Sequence, residues 1–213
     1  MEEIIQGSDA WFSARKGKVT GSRIADAMMK PNLAGYRNYL AQLAAERITG
    51  TVEETFCSYD MARGTELEPV ARALYCFLTD AVVVETGFVD HPYIPMAGCS
   101  PDGIIGDAEN DYPVGGDVGL VEIKCPKSAQ HQDILLGGNI DGKYTKQMQW
   151  QMACTGAQWT DYVSFDPTMP DELKLKVIRV PRDNEVIADM EKAAILFLKA
   201  VDDRVSALEG LYK

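Results

Sequence analysis

The 213-residue sequence predicts an α/β (α+β) fold in which a central mixed β-sheet is flanked by helices, and three observations predict it. Leu120, Val121, Ile123 and Cys125 form a nearly continuous apolar run around Glu122 and Lys124, the pattern of an interior strand. Asp161 to Phe165 and Leu173 to Val180 are rich in β-formers and close the sheet as a hairpin. Residues 36–49 and 184–209 carry apolar side chains at helical spacing and supply long covering helices.

Along the chain, Ser8 is the N-cap of a short helix that carries Trp11 and Phe12 and ends at Gly17. Val19-Thr20-Gly21-Ser22 reads as a turn, and a second short helix starts at Ser22 and stops before Pro31. Tyr36, Tyr39, Leu40, Leu43, Ala44 and Ile48 share a helix face closed by Gly50, and 51–61 is a polar connection. Thr65 and Glu68 have the spacing of a capping box, and Pro69 is tolerated only near a helix start, so a helix is expected to open at Thr65 and continue through Val70, Leu74 and Phe77. Val82 to Val89 and Tyr93 to Cys99 read as paired strands joined by a turn at Asp90-His91-Pro92, and 107–117 as a connecting loop. Pro126 ends the next strand, 128–142 is polar and Gly-rich, and a helix over 143–155 is closed by Gly156. In the second hairpin strand Ile178 breaks the alternation, which suggests a bulge. The last helix presents Val186, Ile187, Met190, Ala194, Leu196, Phe197, Val201, Val205 and Leu208 to the domain.

The length fits one domain, residues 1–213. At 46% hydrophobic and 25% charged the composition is that of a globular protein. No apolar stretch has the length of a membrane span, and Met1-Glu2-Glu3 does not begin a signal peptide, so the expected location is the cytoplasm. Cys57, Cys76, Cys99, Cys125 and Cys154 form no C-x-x-C pair, which argues against a zinc or iron–sulfur site and against a disulfide framework; they read as buried thiols. A net charge of −11 is awkward for a nucleic-acid-binding protein. The charge is uneven, however: Arg15, Lys16, Lys18, Arg23, Lys30 and Arg37 crowd 13–37 against Asp26 alone, while Asp107 to Asp117 is acidic.

The chemistry concentrates between Ser100-Pro101-Asp102-Gly103 and Glu122-Ile123-Lys124. In a period-two strand Glu122 and Lys124 share one face and Ile123 faces the other. If 94–106 pairs with 118–125, Asp102 returns beside them. Two acids and a lysine suit a Mg²⁺-dependent phosphodiester hydrolase: hard oxygen ligands for the ion, and a cation that orients or deprotonates the attacking water. Taken alone the triplet also fits a solvated charge pair on an amphipathic strand, but charges on an interior strand require a reason. Arg15 and Ser22 fit either an anion site at a helix N-terminus or a surface arginine and a simple cap. Gln147 and Gln151 share a helix face at i, i+4, turned either to a metal site or to water. Neither His91 nor His131 belongs to a cluster that argues for a histidine base.

The chain resembles the phage lambda exonuclease family (YqaJ-type viral recombinase or alkaline exonuclease) of the PD-(D/E)xK nucleases, with their restriction-endonuclease-like core. The matching blocks are Gly7 to Trp11 through Arg15, Val19 to Ser22, Gly64 to Glu68 with Ala71-Arg72, Cys99 to Gly103, Glu122 to Pro126, Leu136 to Gly138, Tyr144 to Gln149, and Tyr162 to Pro167. They follow the family's order over nearly the whole chain.

The resemblance implies a 5′-to-3′ exonuclease that degrades one strand of linear double-stranded DNA to mononucleotides and leaves 3′ overhangs for strand annealing. Asp102, Glu122, the Ile123 carbonyl and Glu68 would hold two Mg²⁺ ions, with Mn²⁺ as a substitute; Lys124 and Gln147 complete the catalytic set. Arg15, Ser22, Ser100, Lys30 and Met61 would meet the 5′-phosphate and the DNA. It further implies a homotrimeric ring, a single-strand-annealing partner, and a phage- or prophage-encoded origin in the bacterial cytoplasm. One departure bears on DNA contact: the lambda enzyme has an arginine where Asn32 follows Lys30-Pro31. Alternatives with the same core are a structure-specific endonuclease or resolvase and an inactive DNA-binding subunit.

Overall fold

The computed structural model describes residues 6–52, 59–106 and 118–211. In chain order the elements are α1 (Asp9–Arg15), β1 (Val19–Thr20), a 3₁₀ turn (Gly21–Arg23), α2 (Ile24–Ala27), α3 (Ala34–Thr49), α4 (Tyr59–Thr79), β2 (Val83–Val84), β3 (Val89–Asp90), β4 (Ala97–Cys99) and β5 (Gly103–Ile105). There follow β6 (Gly119–Lys124), α5 (Ser128–Leu135), α6 (Gly142–Thr155), β7 (Trp159–Phe165), a 3₁₀ turn (Asp171–Leu173), β8 (Leu175–Pro181) and α7 (Asn184–Glu209). One sheet has the order β2-β5-β6-β7-β8 and a second, smaller one β1-β4-β3. The larger sheet is mixed, because β6 and β7 run parallel while its other neighbours are antiparallel.

The strand bearing Glu122 is the middle strand of the larger sheet, as its apolar run predicts. Its alternation feeds two layers. Val121 and Ile123 pack with Val163 and Phe165 of β7 against Ala71 and Tyr75 of α4. Leu120 faces Met152 and Ala153 of α6 on the opposite side. Gly103 makes the β2–β5–β6 contact possible: a Cβ there would lie 2.3 Å from Val83 Cγ1 and 3.1 Å from Val121 Cγ1. The residue before it, Asp102, is thereby held at the edge of β6.

Two buried carboxylates tie the helices to this frame. Asp161 on β7 accepts from Arg179 Nε and Nη2 at 2.9 Å each and from the Tyr75 hydroxyl at 2.8 Å, which anchors α4 to the sheet. Glu46 on α3, 4% exposed, accepts from Gly17 N at 2.7 Å and from Gln42 Nε2 at 2.8 Å. It thus fixes the loop that leaves α1, where Gly17 adopts φ +67°.

The expected helices are present over 9–15, 34–49, 142–155 and 184–209, with Ser8 capping α1 and left-handed Gly50 and Gly156 ending α3 and α6. Several expectations are corrected. The capping box at Thr65 does not form: α4 already runs from Tyr59, and Thr65 Oγ1 donates to the Met61 carbonyl inside the helix. Pro69 therefore sits within α4 rather than at its start. Of the connection expected over 51–61, residues 53–58 lie outside the described residues and 59–61 are helical.

Val19-Thr20 is a strand, paired parallel with Ala97-Gly98. The segment 82–89 does not form one hairpin arm: β2 pairs with β5, whereas β3 pairs with β4 in the other sheet. The region 128–142 contains α5, whose Ile134 packs on Met148 and Tyr162. No bulge occurs at Ile178, which pairs with Tyr162 in unbroken register. Its neighbours explain the broken alternation, since Leu175 and Val177 pack in one layer and Ile178 and Val180 in the other. Cys99 and Cys154 are buried, Cys76 and Cys125 only half-buried, and Leu196 on α7 is exposed. Cys57 and the 107–117 loop lie outside the described residues.

Glu46→Ala should lower the unfolding free energy by about 1–3 kcal/mol, because it strands the buried Gly17 amide, while Glu46→Gln keeps an acceptor and should cost less. Urea titration of the three proteins measures the order; equal stability of Glu46→Ala and the unaltered protein would contradict it.

Candidate active site

Asp102, Glu122 and Lys124 meet where β5 and β6 pair antiparallel, with Gly103 opposite Val121. Asp102 Oδ2 accepts from the Ile123 backbone N–H at 2.7 Å. In an extended strand the N–H and C=O of one residue point to the same edge, so the Ile123 carbonyl faces the Asp102 side as well. Glu122 is fully buried, and each of its oxygens has amide donors from α6 or an ammonium from its own strand. Gln147 Nε2 donates to Oε1 at 2.7 Å, Gln151 Nε2 donates to Oε2 at 2.6 Å, and Lys124 Nζ is paired with Oε1. Lys124 also lies 5.3 Å from the Tyr144 ring centroid, within cation–π range.

Burial, followed by the like charge of Glu122, pushes the Asp102 carboxyl well above the ordinary carboxylate range; Lys124 pulls it the other way. For Lys124 burial works against the ammonium, but Glu122 and Asp102 outweigh it and raise its pKa above the usual lysine value. Glu68, on α4, is raised by burial, with Arg72 opposing. It is joined to Arg72 Nη2 at 2.5 Å, and Arg72 Nη1 reaches Glu85 at 2.7 Å.

A cleft of about 180 Å³ opens beside this cluster, and Arg15, Ser22, Ser100, Asp102, Gln147 and Gln151 all line it. Trp11 Nε1 donates to Ser100 Oγ at 2.8 Å, and the Arg15 guanidinium lies over the Trp11 ring at 4.0 Å. Among the described ion pairs none involves Arg15, and burial works against its charge. The cleft therefore offers a half-buried cation and two hydroxyls to an anion.

The sequence-predicted residues divide accordingly. Asp102, Gln147, Arg15, Ser22 and Ser100 share the cleft, with Glu122, Ile123 and Lys124 directly behind it and Glu68 near enough for its charge to act on Asp102. Lys30, exposed after α2, and Met61, exposed near the start of α4, do not line it. His131 is buried between Ser164 Oγ and the Leu173 carbonyl, both at 2.8 Å, away from the cleft. Four lining residues were not assigned to the site from sequence: Gln6, which donates to the Pro101 carbonyl at 3.0 Å, Trp11, one helical turn before Arg15, Gly21, and Gln151, whose i+4 relation to Gln147 was the available signal.

Among the described residues no three carboxylate, His or Cys side chains stand close enough to cage a metal alone. The donors present fit a different arrangement. Mg²⁺ is ordinarily held by one or two carboxylates, with water and substrate phosphate filling the remaining positions. Asp102 and Glu122 are all-oxygen donors whose mutual repulsion a cation would relieve.

Residues 10–158 match the YqaJ-like viral recombinase domain. The fold matches an alkaline exonuclease from Laribacter hongkongensis at 43% identity and TM-score 0.85, covering 95% of this chain and 96% of that one. The same exonuclease solved in complex with dAMP matches equally. A phage-related exonuclease from Haemophilus somnus, 16% identical with TM-score 0.65 over 90% of this chain and 96% of that chain, shares the fold. No curated relative matches significantly. With a match over 10–158 and 43% identity along nearly the full length of a solved exonuclease, the chain belongs to the YqaJ-like viral recombinase family.

Proposed function

We propose that the protein, as one nuclease domain over 1–213, is a divalent-metal-dependent exonuclease that degrades the 5′-ended strand of linear duplex DNA. It releases mononucleotides and leaves 3′ overhangs for strand annealing. The observation that carries this reading is the cleft that sets Arg15, Ser22 and Ser100 against Asp102. An anion-binding wall facing a metal-type acid cluster suits a terminal phosphate held next to the scissile one. Support for mononucleotide products comes from the 43% identical exonuclease, which was solved with dAMP.

Asp102, Glu122 and the Ile123 carbonyl would hold one Mg²⁺, and Glu68 with Asp102 a second, Mn²⁺ being the natural substitute. When bound, the ions would neutralise phosphate charge and acidify water. The chain's own residues do the positioning. Glu122 is fixed by the two glutamine amides, so its orientation needs no rearrangement. Lys124 stands as an ammonium on Glu122, which favours orienting the attacking water over deprotonating it. Glu68 is steered by Arg72. Lys30 and Met61, outside the cleft, are assigned to the duplex beyond the reacting end.

A homotrimeric ring, an annealing protein as partner, and work in the bacterial cytoplasm complete the proposal. No helix among the described residues is long and apolar enough to cross a membrane.

Asp102→Asn should reduce hydrolysis at least about 100-fold with the fold retained, since a carboxylate facing the ion has no replacement nearby. Rates from a fluorescently labelled linear duplex in Mg²⁺, alongside circular dichroism, test this; near-normal digestion by Asp102→Asn would remove Asp102 from the chemistry.

The end preference is a separate matter. Unaltered protein should degrade a 5′-phosphorylated duplex about 10- to 100-fold faster than a 5′-hydroxyl one, the worth of a charge-assisted contact, and should spare closed circular DNA. Arg15→Ala should erase the preference while cutting slowly. Equal rates on both ends would contradict the phosphate role, and cleavage of the circle would favour an endonuclease.

A further inference from the structure

Gln151 contributes more than a tether to Glu122. It is fully buried, and its amide must face Glu122 with the NH₂ end, because a carboxylate only accepts; Nε2 donates at 2.6 Å, with the Ser100 carbonyl at 3.5 Å. The other end of the amide, Oε1, is a buried acceptor without a hydrogen-bond partner. Buried acceptors are rarely left so, and each calls for an explanation. The explanation lies in the position: Gln151 lines the same cleft as Asp102, Arg15 and Ser100. Gln147 holds the other carboxylate oxygen, Glu122 Oε1, from one turn earlier, so the Gln151 NH₂ is committed to Oε2 and only its own Oε1 is left to meet a further group.

An ion held by two carboxylates keeps several waters, and every such water is a hydrogen-bond donor. We propose that Gln151 is a positioning residue for the hydrated divalent cation, its Nε2 fixing Glu122 and its Oε1 accepting from a water on the ion. The inference rests on the metal-dependent reading above and adds a residue and a ligand to it. Partners that orient metal ligands and metal-bound water typically contribute 10- to 100-fold in metal affinity. One amide thus serves both the ligand and the water, and Gln151 links them through a single rigid plane.

The test is Mn²⁺ binding to the whole protein without DNA, by isothermal titration calorimetry, with the thermal midpoint in EDTA as the control for folding. Gln151→Met, close in volume and unable to hydrogen-bond, should weaken binding about 10- to 100-fold in a protein that still unfolds cooperatively in EDTA, at a midpoint lowered by the lost bond to Glu122 Oε2. Gln151→Ser is measured alongside and should lose affinity to a similar extent, so the test stands if the Met variant does not fold. Undiminished Mn²⁺ affinity in either folded variant overturns the proposal. Absence of binding by the unaltered protein would instead overturn the metal-dependent reading on which it depends.

Discussion

The structure depends on one buried carboxylate, Glu122, placed in the middle strand of the larger sheet. A charge with no exposure is costly unless hydrogen-bonded and paired, and three donors converge on it: Gln147, Gln151 and Lys124. Much of the fold follows from that demand. The α6 helix must lie against this face with Gln147 and Gln151 turned inward, which explains why Gln151 is fully buried, whereas the buried Gln149 is engaged elsewhere, by the Pro181 carbonyl and the Asp183 amide. The β5 strand must begin so that Asp102, the residue before it, meets the Ile123 amide. Helix α4 is pinned on the opposite face through Tyr75 and the Asp161–Arg179 pair, and this brings Glu68 to the same end of the sheet.

Much of this was legible in the sequence, for physical reasons. The central strand announced itself through charges set in an apolar run, and the α6 helix through its i, i+4 glutamines. The β5–β6 pairing expected from the return of Asp102 is present. Other features were not legible because tertiary partners decided them. Thr65 and Glu68 carry a capping pattern, yet the helix extends two turns earlier and buries Ala71 and Tyr75, so the local signal lost to packing. The Val82 to Val89 run is mostly β-prone, and although Glu85 and Gly87 interrupt it between β2 and β3, nothing local says that its two ends join different sheets. Ile178 looked irregular only because the two-sided burial of β8 was not visible. Trp11 was placed on the first short helix with no role in the site, whereas its indole joins Arg15 to Ser100.

The acidity of the chain takes on a definite form in the structure. Within the basic 13–37 region, Lys18 is paired with Asp90 and Arg23 with Asp26, so part of the positive charge is spent internally. Arg15, Lys16, Lys30 and Arg37 enter none of the described ion pairs, although Lys16 donates to the Gly50 carbonyl, and these are the cations of the region available to phosphate. So small a set makes affinity for duplex DNA modest and steeply salt-dependent unless several chains act together, which is the physical argument for a ring.

The central claim is that Asp102 and Glu122 form a divalent-metal site at the mouth of an anion-binding cleft. Crystals soaked in Mn²⁺ and measured at the manganese absorption edge test it most directly. The account predicts an anomalous peak between the Asp102 and Glu122 carboxylates. A well-ordered crystal at saturating Mn²⁺ with no peak there, or with its only peak at a distant surface carboxylate, would contradict it.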